Sequence, residues 1–211
     1  MGNTAEPPKS ASLPTVPPGD PEPAWAVATL FPSQGCWSER DYLELPTNRH
    51  VEFSDGYIEV LPVPTRLHQK IVAFVYKALE AFVAARKLGE VYFAPLPVHL
   101  WSGKYREPDV IFVRAGNSAA LEGDYLEGAD LVVEVVSEDD PDRDWIHKRA
   151  EYERAAIPEY WIVDPSKGCI AVFTLRDGRY VPFGEYSRSE RAISALLPEF
   201  SVSVSDTLAG A

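Results

Sequence analysis

A single charged residue inside an apolar run is the feature that most constrains the fold of this chain. Residues 131–136 read LVVEVV, which is too evenly apolar for a strand with one face in solvent. Such a run is typical of a central strand that is buried on both faces. It makes Glu134 a core carboxylate, and desolvating a lone carboxylate costs several kcal/mol. Glu134 must therefore be ion-paired, protonated or bound to a cation, so that a structural ion pair and a functional site are both open.

The other patterns predict an α/β chain of mixed α+β type, with a mixed sheet flanked by helices and added β-hairpins. Asp55-Gly56 and Asp177-Gly178 each separate two β-prone runs, which indicates two hairpins. Thr65 caps a helix with apolar residues at helical spacing that ends at Gly89. The remaining predicted elements are a short capped helix after Ser38, strands at 91–100, 108–113, 131–136 and 160–164, and a helix from Asp140-Pro141 to about residue 156.

The charge balance restricts how this chain could bind nucleic acid. The 211 residues carry 20 basic and 32 acidic side chains, a net charge of −12. A broadly basic nucleic-acid-binding surface is therefore excluded. A phosphate group must therefore be bound by a small local set of basic residues, such as Arg66, Lys70, Lys104, Arg106, Arg143 and Arg149.

Composition predicts one domain behind a tail, in a reduced compartment. Residues 1–23 hold seven of the 19 prolines and almost nothing large and apolar. We expect a disordered tail over 1–24 and a single domain over 25–211. The two cysteines, Cys36 and Cys169, form no CxxC pair, which argues against a disulfide framework or a cysteine zinc site. We expect a cytoplasmic protein with no secretory signal and no membrane span.

Two further polar features can join Glu134 in one site. Asp109 follows Pro108 at the entrance to a strand, where an aspartate is usually a turn or cap residue. Asp144, Lys148 and Tyr152 recur at spacing four and share one helix face, which by itself suggests an exposed ion pair beside a core tyrosine. Because this helix closely follows the strand of Glu134, it can fold back and bring Lys148 to that carboxylate.

Neighbouring antiparallel strands can present Asp109 and Glu134 to one hard cation, with a backbone carbonyl, assigned to Val135, completing the ligands. Mg²⁺ is the expected ion, and Mn²⁺ could substitute. Such a cation activates water and neutralises charge on a phosphate, while a nearby ammonium orients the water or steadies the transition state. This combination is typical of phosphodiester hydrolysis.

Four sequence stretches together carry a resemblance to a known family. They are Pro108-Asp109, Glu134-Val135-Val136-Ser137, Asp144-x3-Lys148-x3-Tyr152 and Glu159-Tyr160-Trp161-Ile162-Val163-Asp164. With Glu52-Phe-Ser-Asp-Gly56 and His68 upstream, they resemble the Uma-two-type restriction endonucleases, a bacterial branch of the PD-(D/E)xK nuclease superfamily. The resemblance covers about residues 38–206.

The resemblance implies a restriction-endonuclease-like core and metal-dependent DNA cleavage by water. It makes Asp109 and Glu134 the metal ligands, gives Lys148 the role of the catalytic lysine, and places Glu52 and His68 at the rim of the cleft. Glu52 is then a candidate further ligand through water. The chain departs from the superfamily pattern at Val136, where that lysine normally stands. His68 has a local alternative, a hydrogen bond to a neighbouring loop from the first helical turn.

Three functions are open at this stage. The leading one is a Mg²⁺-dependent DNA endonuclease; the others are an inactive nuclease-like binding or assembly module and a hydrolase of smaller phosphate esters. DNA is the expected partner, with no organic cofactor. A homodimer is also open, because cutting a duplex needs two sites. Trp25, Phe31 and Trp37 could form a self-complementary patch for it, or they could instead pack on their own domain.

Overall fold

The computed structural model describes residues 31–46, 50–117 and 124–210. Contacts divide the chain into residues 1–33 and 34–211, and every helix and strand of the described part lies in the second unit. The predicted tail over 1–24 and Trp25 fall outside the described residues. The domain boundary at residue 25 therefore stays a prediction.

The described residues of the second unit form twelve strands and a few helices. In chain order the elements are α1 (Glu39–Leu43), β1 (Val51–Ser54), β2 (Tyr57–Val60), α2 (Arg66–Arg86), β3 (Gly89–Phe93), β4 (Val98–Trp101), β5 (Lys104–Arg106), β6 (Val110–Arg114), β7 (Leu131–Val135), a π-helical turn (Arg143–Lys148), α3 (Arg149–Arg154), β8 (Glu159–Asp164), β9 (Cys169–Arg176), β10 (Arg179–Ser187), β11 (Arg191–Ile193), β12 (Ser201–Ser203) and α4 (Val204–Ala209). The predicted short helix after Ser38 is present as α1, with the Ser38 side chain accepting the N–H of Asp41.

The strand that contains Glu134 lies inside a six-stranded sheet, as predicted. The order is β10-β9-β8-β7-β6-β3, and only the β7–β8 pair is parallel. All five residues of β7 are buried. Val133 and Val135 pack in the core that contains α2, while Val132 and Val136 pack with Tyr152. Strand alternation therefore turns Glu134 toward α3.

Helix α2 begins where the sequence indicates and ends earlier. The Thr65 side chain accepts the backbone N–H of His68, so Thr65 is the N-cap. The helix ends at Arg86, because Lys87 adopts a left-handed conformation, and the prediction that Gly89 ends it was wrong. Gly89 instead opens β3 at a φ of 151°, where a Cβ would overlap the Val113 carbonyl oxygen.

The single strand predicted over 91–100 is two strands in different sheets. β3 belongs to the large sheet, whereas β4 belongs to a small sheet in the order β2-β1-β5-β4. Pro95 and Pro97 lie between the two strands, and neither has an N–H to continue a ladder. The small sheet contains the predicted Asp55-Gly56 hairpin, whose two turn residues both have positive φ.

The second long helix is present but not regular. Helical backbone runs from Pro141 to Arg154, and residues 143–148 within it form a π turn. The sequence pattern did not indicate this widening. The strand after Pro158 and the hairpin at Asp177-Gly178 are confirmed as β8, β9 and β10.

The described part of the chain bears on two predictions, those about the cysteines and about membrane-spanning helices. Cys36 and Cys169 are free thiols, the first exposed and the second buried. Within residues 31–46, 50–117 and 124–210, no helix has the length and apolar character that a membrane crossing requires. Trp37 packs on its own domain, against a cluster that includes Tyr42 and Phe53.

Candidate active site

A cavity of about 580 Å³ is lined by four of the predicted site residues, His68, Asp109, Glu134 and Lys148, together with Val135; Glu52 is not among its lining residues. Asp109 stands just before β6, and β6 pairs with β7 so that Val110 lies opposite Val133. Residues 109 and 134 are therefore neighbours across an antiparallel ladder. The backbone N–H of Val135 donates to Asp109 Oδ2 over 2.8 Å. The structure thus brings the two predicted carboxylates together at one end of the central strands.

Glu134 lies at the floor of this cavity and is only 2% exposed. Tyr152 donates its hydroxyl to Glu134 Oε1 over 2.5 Å, and Lys148 Nζ lies 2.8 Å from the same oxygen. Burial raises the pKa of Glu134 to about 8; the charge of Lys148 opposes this shift, and Asp109 and Asp144 add to it. The carboxyl is therefore a group that a further nearby cation would stabilise in its ionised form.

Lys148 points inward, as the predicted site requires. It is 4% exposed, and its ammonium also lies 3.5 Å from Glu52 Oε1 and 3.7 Å from Asp144 Oδ1. Burial opposes the charged form, but Glu134, Glu52 and Asp144 outweigh it and raise the pKa of Lys148. Lys148 is thus an ammonium at neutral pH. It leaves the helix at the end of the π turn, a type of irregularity that is frequent at functional sites.

Glu52 reaches the site from the small sheet and lies among cations. Its carboxylate is fully buried and accepts hydrogen bonds from Arg106 and Arg143, with Lys148 on its other oxygen. Burial raises its pKa, but Lys148, Arg106 and Arg143 lower it to about 2 overall. The cluster joins strands β1 and β5 to the helix that carries Lys148.

His68 contacts Asp109 rather than a neighbouring loop. Its Nε2 lies 3.0 Å from Asp109 Oδ1, and both side chains are mostly buried. Burial lowers the pKa of His68, but the hydrogen bond and the charge of Asp109 raise it overall. The N-cap at Thr65 fixes this first turn of α2, so the helix start positions the imidazole.

Sequence reasoning missed Glu107, which also lines the cavity. This carboxyl is buried and accepts the backbone N–H of Val51 over 3.2 Å. Burial and the charge of Glu52 raise its pKa to about 7, against the opposing charge of Lys148. Its place directly before Pro108-Asp109 was the signal that could have identified it.

Most of the basic residues suggested for phosphate contacts are engaged within the protein. Lys104 and Arg106 are buried, and both bind Glu151. Arg143 binds Glu52 and Glu59. The Arg149 guanidinium lies over the Phe173 ring, 5.2 Å from its centre. Of the six, Arg66 and Lys70 contribute instead to a separate shallow depression at the start of α2.

The donor chemistry fits a hard cation held mainly by solvent and two carboxylates. In the described ranges, no three His, Cys, Asp or Glu side chains are grouped in a way that could hold a metal ion. Asp109 and Glu134 nevertheless offer oxygen ligands beside one another. Mg²⁺ characteristically keeps several waters and uses one or two carboxylates. Such a pair of carboxylates suits a hard cation that keeps water ligands, rather than an ion that needs a complete protein cage.

The architecture described above, a mixed sheet flanked by helices, is that of the restriction-endonuclease-like fold class. A family model named Uma2 and described as "Putative restriction endonuclease" matches residues 39–205. This is most of the chain, and the protein belongs to the Uma2 family. The resemblance seen in the sequence is thereby confirmed.

A solved structure supports the same architecture. The crystal structure of a protein from Anabaena variabilis ATCC 29413, described as a "putative nuclease belonging to DUF820", superimposes with a TM-score of 0.67. The two sequences are 15% identical, and the match covers 82% of this chain and 98% of the other. At this identity the likeness shows the fold, and the predicted fold class is confirmed. The search of curated proteins returned no match.

Proposed function

We propose that this protein is a Mg²⁺-dependent endonuclease that hydrolyses DNA phosphodiester bonds with a metal-activated water. One observation carries the proposal. The ammonium of Lys148 lies 2.8 Å from Glu134 Oε1. Glu134 is on β7, which pairs with β6, and Asp109 stands just before β6. Two carboxylates and a permanent positive charge thus converge in a single cavity, which is the set of groups that this chemistry needs.

Asp109 and Glu134 would hold the ion, with the carbonyl oxygen of Val135 as a third ligand. The ion would supply Lewis acidity, lowering the pKa of a water and neutralising charge on the phosphate. Lys148 would hold the attacking water or stabilise the negative charge that develops on the phosphate. In this role it replaces the lysine that the superfamily carries where this chain has Val136.

Glu52 and His68 would act through their neighbours. The carboxylate of Glu52 already accepts from two guanidinium groups, which favours a positioning role for Lys148 over a role as a further metal ligand. His68 would fix the rotamer of Asp109 through the contact of 3.0 Å.

A hydrolase of smaller phosphate esters is the second candidate. It is favoured by the engagement of Lys104, Arg106, Arg143 and Arg149 within the protein, which leaves few cations for a long polyanion. The catalytic groups would be the same, and the substrate would be confined to the cavity.

A cleavage assay with Mg²⁺ or Mn²⁺ on plasmid and single-stranded DNA tests the proposal. We expect cleavage by the wild type and loss of it in Asp109→Ala and Glu134→Ala. Glu153→Gln is the matched control, because this half-buried carboxylate binds the exposed Arg179 and does not line the cavity. Activity that survives both substitutions would refute the site.

Failure on DNA under every metal would separate the alternatives. Hydrolysis of a small aryl phosphodiester would then establish the second candidate. If calorimetry also showed no cation binding, the nuclease-like scaffold would be an inactive binding module. Light scattering of the same samples would test the proposed homodimer, for which a mass of one chain is the contrary result.

A further inference from the structure

The rim of the candidate active site is divided into an apolar and an acidic segment. We call Leu61, Pro62, Val63, Pro64 and Leu67 the apolar rim, and Glu138, Asp139 and Asp140 the acidic rim; all of them line the cavity. Val63 is 91% exposed and Leu67 is 45% exposed. The two prolines stiffen the segment that carries Val63. An apolar surface thus stands at the entrance to a floor made of carboxyl groups and an ammonium group.

The cavity has cations for about one phosphate group. Among its described lining residues, the permanently charged bases are Arg143 and Lys148, and both are held by carboxylates. Proteins that bind duplex DNA place Lys and Arg along a track of phosphates, since backbone contacts supply most of the non-specific affinity. Of the other basic residues considered above, Lys104 and Arg106 are buried against Glu151. Arg66 and Lys70 are exposed on either side of Leu67 along the chain, at the separate depression. Two such residues do not make the track of cations that a duplex needs.

The charge density of the DNA then distinguishes a duplex from a single strand at this entrance. A duplex carries a charge about every 1.7 Å along its axis, twice the density of either of its strands. The exposed carboxylates of the acidic rim would repel both backbones of a duplex laid across the entrance. A single strand brings fewer charges, and its unstacked bases are free to contact apolar side chains, as bases do in other nucleic-acid-binding sites.

We propose that the substrate of this site is single-stranded DNA, with an unstacked base against the apolar rim and the adjoining phosphate at the floor formed by Asp109, Glu134 and Lys148. This inference rests on the proposed nuclease function and adds the form of DNA. A cavity of about 580 Å³ is within the size range of sites for small ligands and suits one nucleotide of a strand. Affinity comes mainly from base contacts rather than from phosphate contacts.

Fluorescence anisotropy with a labelled oligonucleotide tests this inference. The same sequence is offered as a single strand and as a duplex, in EDTA and again with Ca²⁺. We expect the single strand to bind about tenfold more tightly than the duplex, which corresponds to the burial of roughly 55 Å² of apolar surface between a base and the rim. The logarithm of its affinity should fall with the logarithm of salt concentration at a slope of about −1, since few phosphates are neutralised.

A double variant tests the apolar rim. Val63→Thr with Leu67→Gln nearly keeps the side-chain sizes but removes the apolar contact, and should weaken single-strand binding about tenfold. The matched control is Ile193→Thr with Leu43→Gln, which makes the same kind of change at exposed residues outside the cavity and should leave binding unchanged. Circular dichroism checks that both variants remain folded.

The results distinguish this inference from the proposed function. Duplex binding equal to or tighter than single-strand binding, a rim variant that matches its control, or no binding of either form in either condition would overturn the inference. If the protein still cut duplex DNA in a Glu134-dependent way, the nuclease proposal would stand without it. Rim-dependent binding of the single strand without cleavage in Mg²⁺ or Mn²⁺ would support the inference and refute the nuclease.

Discussion

Replacing Glu134 with Gln should remove a pH dependence from the stability of the folded chain. Glu134 is buried with Asp109 and Asp144 nearby, and its pKa is raised from 4.5 to about 8. The folded state therefore binds this proton more tightly than the unfolded chain does. The contribution to stability is fully present below about pH 4.5, and it is lost as the pH rises through about 8. Gln cannot titrate, and it keeps an oxygen to accept the Tyr152 hydroxyl.

The expected size follows from the shift. A difference of one bound proton changes the free energy of unfolding by about 1.4 kcal/mol for each pH unit. The pKa of about 8 already includes the opposing charge of Lys148, so we expect a total of about 3–4 kcal/mol between pH 5 and pH 8. The wild type should lose this amount relative to Glu134→Gln as the pH rises.

Urea unfolding followed by tryptophan fluorescence, in EDTA and at one-unit pH steps, measures the effect. Glu151→Gln is the contrasting control, because this carboxyl binds Lys104 and Arg106 and its pKa is lowered despite burial. Its difference from the wild type should be flat over the same pH range. A flat difference for Glu134→Gln, or one that grows in favour of the wild type with pH, would refute the placement of Glu134 in an acidic cluster.

Three further substitutions test other parts of the structure. Lys148→Met should lower kcat, measured by cleavage kinetics, far more than it lowers metal affinity, measured by calorimetry; equal losses of both would contradict the role of the amine. It should also lower the free energy of unfolding by about 3 kcal/mol, because it leaves buried carboxylates unpaired. Glu159→Ala removes the acceptor of three donors, including the Trp161 indole N–H, and should lower the free energy of unfolding by about 3 kcal/mol with activity per folded molecule unchanged; lost activity in the folded variant would be unexpected. Thr65→Ala removes the N-cap that accepts the His68 N–H and should lower the free energy of unfolding by about 1 kcal/mol, measured by thermal unfolding. Thr65→Ser should be close to the wild type; an equal loss of stability in both variants would argue against the cap.

Local patterns were sufficient to predict the centre of the candidate site. The apolar run around Glu134 identified a central strand, and two-residue alternation set the face on which the carboxylate lies. Asp109 stands just before β6, the strand that precedes β7 in the chain, so antiparallel pairing of these neighbours made the meeting of the two carboxylates predictable. Helical spacing placed Asp144 and Lys148 on the same face as each other.

The surroundings of Glu52 were beyond such patterns. They depend on the pairing of β1 with β5, about fifty residues away along the chain, and on the direction of the helix that carries Arg143. No periodicity indicates that Arg106 turns inward while other arginines stay at the surface. The π turn was equally hidden, because its sequence contains no residue that requires it.

Diffraction from crystals soaked in Mn²⁺, recorded at the manganese absorption edge, tests the central claim most directly. We expect one anomalous peak in the cavity, within about 2.2 Å of a carboxylate oxygen of Asp109 and of Glu134, with the Lys148 ammonium still inside the cavity. A peak bound by other residues, or full Mn²⁺ exposure that leaves both carboxylates without a metal, would contradict it.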